Sequence, residues 1–84
     1  MEQMVLIIWE DARVLTDGAW SDKQEHKYEP YLVHQVGFLL KKDRKFLHLT
    51  EAIAPNHYGP VEQIPRGMVR ELHYLNVRSH PRVL

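Results

Sequence analysis

The densest group of side chains able to do chemistry is Lys41-Lys42-Asp43-Arg44-Lys45-Phe46: four cations and an aromatic around one carboxylate. Cations so grouped neutralise phosphate, and an aromatic beside them can stack a base. The same run also reads as a solvated turn whose lysines guard a strand edge, and Phe46 as core, because aromatics dominate small cores. A second candidate is Arg66-Gly67, where a guanidinium and an uncovered backbone N–H would meet an anion. Its plain alternative is a turn that happens to carry an arginine. Trp9 ends an apolar run and reads as core. Trp20 borders a polar stretch and is the better candidate for an exposed aromatic at a ligand or subunit contact.

Other chemistries find little support. Six histidines are spread through the chain as His26, His34, His48, His57, His73 and His80, with no HxH or i, i+4 pairing and no cysteine. That spacing gives no zinc signature, and no metal or cofactor is expected. Glu10 and Asp11 are adjacent, and neighbours on a strand point to opposite faces. They read as strand-end solvation or as a charge partner for a basic neighbour, not as a facing catalytic pair. Ser21 and Ser79 are the only serines, neither in a nucleophile context, and no glycine-rich phosphate loop is present. An enzyme is not expected.

The basic run must be positioned by its flanks. Before it, Leu32, Val36, Phe38 and Leu40 fall on one side of an extended chain, with His34 as a polar interruption. After it, Leu47 and Leu49 alternate with Phe46, His48 and Thr50. Alternation in short apolar runs predicts a hairpin with the charges at its tip. Without Asn-Gly or Asp-Gly the tight two-residue turn is disfavoured, and a four- or five-residue turn through Lys42-Asp43-Arg44 is expected. Gly37 marks a bend, a bulge or close approach of another backbone.

Met4-Val5-Leu6-Ile7-Ile8-Trp9 is apolar throughout, predicting a strand buried on both faces, one of them by a neighbouring subunit through Met4, Leu6 and Ile8. Asp17-Gly18 signals a turn, residues 21–30 a mobile loop closed by Pro30, and residues 76–84 a loose tail. Pro65-Arg66-Gly67 predicts a tight connection, such as one 3₁₀ turn. Residues 68–75 fit both a helical stripe (Met68, Leu72, Leu75) and a strand; their length and the preceding short strand favour a strand. The result is an all-β single domain over 1–84, with strands at 4–9, 31–41, 45–53, 61–65 and 69–75. One of these is strongly bent, which suggests a small closed or nearly closed five-stranded barrel over about 4–75.

At 84 residues such a chain buries only about 60–65% of its unfolded surface and is marginal alone. Without disulfides, self-association is the remaining device. Net charge is zero, yet residues 1–30 hold seven acids and three bases and residues 31–84 four acids and eight bases. Such a dipolar chain can pair its own ends or join head to tail with copies of itself. The neutral total argues against strong generic polyanion binding while leaving room for a local basic site. No apolar run reaches membrane-span length, and Met1-Glu2-Gln3 lacks the basic region of a secretory signal, so a cytoplasmic location with no membrane partner is expected.

The layout from Tyr31 to Leu75 resembles SH3-like barrels and, among them, the Sm-like (Hfq/LSm) family. The resemblance rests on Val36-Gly37-Phe38-Leu39-Leu40, the turn aspartate Asp43, Phe46-Leu47-His48-Leu49, and Ile64-Pro65-Arg66-Gly67-Met68-Val69 before the last strand. Arg66-Gly67 matches the family's apolar-Arg-Gly segment, with Pro65 inserted. Its Asp-apolar-Asn signature matches only in Asp43 and Phe46, since Leu47 stands where the asparagine would be and the register is off by one. An apolar strand replaces the family's N-terminal helix. The pattern Trp9-x-Asp11-Ala12 … Trp20 … Val36-Gly37 … Ile64-Pro65-Arg66-Gly67-Met68-Val69 also looks like small bacteriophage proteins, which would place the chain in a bacterial host's cytoplasm.

The Sm resemblance implies a homo-oligomeric ring joined by edge strands, with RNA or a nucleotide bound by Lys41, Lys42, Arg44, Lys45, Phe46, Arg66 and Gly67. Two further readings stay open. One is an accessory protein that engages a host protein through Trp20, residues 21–30 and exposed edges. The other is a small-molecule-sequestering oligomer with pockets between subunits.

Overall fold

A computed structural model describes residues 2–12, 20, 22–23, 29–78 and 81. The turn expected at Asp17-Gly18, most of the loop expected over 21–30 and the end of the tail lie outside the described residues. The protein is all-β. β1 (Gln3–Glu10), β2 (Leu32–Lys42), β3 (Phe46–Thr50), β4 (Val61–Pro65) and β5 (Val69–Tyr74) form one antiparallel sheet, ordered β4-β3-β2-β1-β5. A 3₁₀ turn, Arg66–Met68, joins β4 to β5.

β1 lies inside the sheet, paired with β2 on one side and β5 on the other. Its alternate residues Val5 and Ile7 are fully buried and meet Leu47 and Leu49 of β3 and Ile64 of β4. Trp9, Leu39, Val69 and Leu72 pack around this cluster. Trp9 also donates its indole N–H to Gln35 Oε1 at 3.0 Å, which supplies the polar partner a part-buried indole requires. Burial of β1 on both faces is not observed. Met4, Leu6 and Ile8, on its other face, are only half-buried, so one side of the strand is dry within a single chain.

The expected barrel does not close. β4 and β5 are the two edges of the sheet and form no ladder with each other. A physical reason lies in β4. Glu62 pairs with Leu49 and Ile64 with Leu47, so both occupy the core-side register, and only Ile64 is buried. Sealing β4 onto β5 would force a carboxylate into the dry interior, which is costly without a partner. Pro60 and Pro65 bracket the same edge.

Two bulges bend the sheet. β2 gains an extra residue between Leu39, opposite Leu49, and Lys41, opposite His48. β5 gains one between Glu71, opposite Ile8, and Val69, opposite Trp9. A bulge switches which side chains face inward beyond it. Lys42 therefore sits opposite core residue Leu47, and Val69 takes the inward register shared with Leu72. The second bulge also explains the ambiguous period of 68–75, because inward residues three apart imitate a helical stripe. β3 ends at Thr50, its fifth residue; past it only an isolated Ile53–Tyr58 bridge remains of the strand expected to reach 53.

Gly37 is the close-approach glycine. A Cβ there would lie 3.1 Å from the Thr50 carbonyl oxygen. Gly67 has open space around its missing side chain and no left-handed backbone angle. Gly37→Val should therefore cost about 1–3 kcal/mol through overpacking, and Gly67→Ala should stay within about 0.5 kcal/mol. Urea unfolding midpoints of the two variants test this directly; equal midpoints would refute the assignment of Gly37 as a packing constraint.

Candidate functional site

The hairpin tip is built by Asp43. Its backbone N–H donates to the Phe46 carbonyl at 3.1 Å. Its Oδ1 accepts from the backbone N–H groups of Lys45 at 2.8 Å and Phe46 at 2.9 Å. An aspartate that binds its own backbone two and three residues on makes a turn without any glycine. The turn therefore runs from Asp43 to Phe46 with Arg44 and Lys45 at its centre, one residue later than the expected Lys42-Asp43-Arg44. The N–H of Phe46, then that of Lys45, hold the Asp43 carboxyl below its ordinary value of 3.8, with Lys41 adding attraction 3.9 Å away.

Arg66 joins this tip to the β4–β5 connection. Its backbone N–H donates to the Lys45 carbonyl at 2.8 Å, and its Nη1 to the Asp43 carbonyl at 3.0 Å. The two basic segments, twenty residues apart in sequence, thus form one corner. Arg70 extends it by donating from Nη1 to the Gly67 carbonyl at 2.9 Å and from Nη2 to Glu10 Oε2. Glu10 is therefore a charge partner for a base. Lys42 Nζ reaches the Tyr74 hydroxyl at 3.3 Å and sits 6.0 Å from the centre of that ring.

The four cations of the tip do not make a single patch. Lys41 lies opposite His48 on the outer face, Lys42 opposite Leu47 on the core side, and Arg44 and Lys45 at the exposed turn. Phe46 is half-buried rather than core, and its ring centre lies 6.2 Å from that of His48. His48 Nε2 contacts Gln63 Oε1 at 2.9 Å, while its Nδ1 is buried with no partner. Trp20 is fully exposed.

Between the tip and β5, where the sheet fails to close, a cleft of about 220 Å³ is lined by Lys42, Leu47, Arg66, Val69, Arg70, Glu71 and Leu72. Sequence reasoning named Lys42 and Arg66 but missed Arg70 and the apolar floor. The signal for them was a bulge, which a strict two-residue period hides. Among the described residues no group of three or more His, Asp or Glu side chains is arranged to hold a metal, and no helix is long and apolar enough to cross a membrane.

These observations define a small all-β protein with a cationic corner where a hairpin tip meets the β4–β5 connection. No family model, curated protein or solved structure matches the chain, so the fold and this corner carry the functional argument alone.

The Asp43 turn makes a prediction about pH. A carboxyl whose folded pKa is lowered contributes stability above its unfolded value, and that contribution disappears as pH falls through the lowered folded value. The Lys45 and Phe46 amide resonances should shift together with a midpoint below 3.8. Asp43→Asn, which keeps an acceptor oxygen, should abolish this titration while retaining the turn, and Asp43→Ala should lose both. A midpoint at or above the ordinary value would contradict the two backbone bonds as its cause.

Proposed function

We propose that this protein is a non-enzymatic binding module that assembles with copies of itself and takes RNA or a nucleotide at the corner formed by residues 41–46 and Arg66-Gly67. The observation that carries this reading is the double grip of Arg66 on the Lys45 and Asp43 carbonyls. It fixes basic groups from two segments in one place without spending their charge, since both acceptors are neutral. A preorganised cation loses less entropy on meeting a phosphate than a free one. Arg44 and Lys45 are exposed and available to the backbone of a strand.

Self-association is supported by three features. The sheet has two open edges, β4 and β5. The buried apolar cluster of the described residues holds five side chains, Val5, Ile7, Leu47, Leu49 and Ile64, a thin core for a stable monomer. Met4, Leu6 and Ile8 line the half-exposed outer face of β1. Unlike edges that pair head to tail generate a ring when the rotation closes, and a ring would multiply the basic corner around its axis. A second reading, contact with a host protein, is favoured by the full exposure of Trp20.

Binding of a labelled single-stranded RNA, followed by anisotropy, should weaken linearly with the logarithm of salt, with slope about −0.7 per phosphate neutralised. Arg44→Glu with Lys45→Glu should lower affinity at least about tenfold at low salt. No binding at low salt, or no effect of the double variant, removes the RNA reading. Trp20→Ala should leave RNA binding unchanged and weaken only a protein contact. In solution the 10.0 kDa chain should sediment as a multiple of its mass at tens of micromolar. A strict monomer there would overturn the assembly.

A further inference from the structure

We infer that the cleft between the hairpin and β5 is a site for a single nucleoside monophosphate unit, with Lys42 and Arg66 on the phosphate and Leu47, Val69 and Leu72 under the base. The inference rests on the phosphate-binding reading of the same corner and specifies what its inner half recognises.

Charge comes first. Lys42, Arg66 and Arg70 all line the cleft. Arg70 is compensated by Glu10, and Glu71, the one carboxylate on the lining, contacts His73 Nε2 at 2.9 Å. Lys42 and Arg66 have no carboxylate within ion-pair distance among the described residues. Their bonds go to neutral acceptors, the Tyr74 hydroxyl and the Asp43 carbonyl. Two cations beside one cleft, neither paired with a carboxylate among the described residues, favour an anion there. A guanidinium has five donors and an ammonium three, so each keeps donors free for phosphate oxygens.

Shape and floor come next. Leu47 is buried, and Val69 and Leu72 are half-buried; together they give the cleft an apolar base beneath its cationic rim. Simple inorganic anions gain nothing from such a floor, whereas a phosphate carrying a flat apolar-faced group gains from both parts. The volume, about 220 Å³, falls below the roughly 300 Å³ at which drug-sized pockets begin. A nucleoside monophosphate is itself about drug-sized, so the cleft seats only part of one, its phosphate and one side of its base, and no continuous tract. Both bulges contribute, one turning Lys42 inward and the other bringing Val69 to the floor.

The unit can arrive as a free nucleotide or as the phosphorylated end of an RNA chain. The test is a titration of the full chain by amide-resolved NMR with uridine 5′-monophosphate, adenosine 5′-monophosphate, uridine and inorganic phosphate, with affinities from calorimetry. A monophosphate should shift the amides of Leu47, Val69 and Leu72 and bind at least about tenfold tighter than the nucleoside or phosphate alone. Lys42→Gln, checked for an intact spectrum, should lose about tenfold, and Arg78→Gln, at an exposed cation outside both basic segments, should leave monophosphate affinity unchanged. A 5′-phosphorylated oligonucleotide that outcompetes its 5′-hydroxyl twin identifies the chain end as the source; equal binding of the two identifies the free nucleotide. Monophosphate shifts confined to residues 44–46, or affinity untouched by Lys42→Gln, overturn the cleft site. If RNA still responds to the tip variant in that case, the broader reading survives without it. Monophosphate binding without any RNA binding keeps the cleft and removes the RNA reading.

Discussion

The structure depends on β1 having its backbone satisfied from both sides at once. Pairing with β2 and β5 leaves no polar backbone row of β1 to solvate and lets Val5 and Ile7 enter the core completely. With only five apolar side chains fully buried among the described residues, a strand so placed acts as the spine on which both halves hang. The hairpin is held through β2 and the last strand through β5. The two meet again where Lys42 reaches Tyr74 and around Arg66, whose backbone and side chain hydrogen-bond the hairpin tip. Such bonds are individually modest, but here they set the hairpin tip against the β4–β5 connection.

The outline of the fold was legible in the residues. Apolar alternation over 32–40 and 46–50 located the hairpin, Pro65-Arg66-Gly67 located the 3₁₀ turn, and Gly37 marked where β3's end presses on β2. Closure of the barrel was not legible, because it turned on Glu62. A glutamate in a short apolar stretch reads as an exposed residue whichever face it takes. Only the register to Leu49 shows that it occupies the core side.

The candidate corner was half legible. Residue type alone marked Lys41 to Lys45 and Arg66, and the hydrogen bonds of Arg66 to the tip are what the structure adds. What stayed hidden was direction. One inserted residue in β2 and another in β5 reverse the inward set, so an apparently uniform basic run divides among an outer face, a turn and a cleft. Arg70 was invisible for the same reason, sitting in a segment whose period had slipped. Gly67 taught the opposite lesson. Its backbone would accept a side chain, so its smallness leaves surface open instead of relieving strain.

The prolines that bracket β4 have a consequence for how copies could come together. Pro60 and Pro65 leave the backbone of Val61 to Ile64 as the stretch a visiting strand can engage, about 13 Å at strand rise. So brief a seam holds one register, because a one-residue slip would sacrifice a quarter of it while presenting the wrong face.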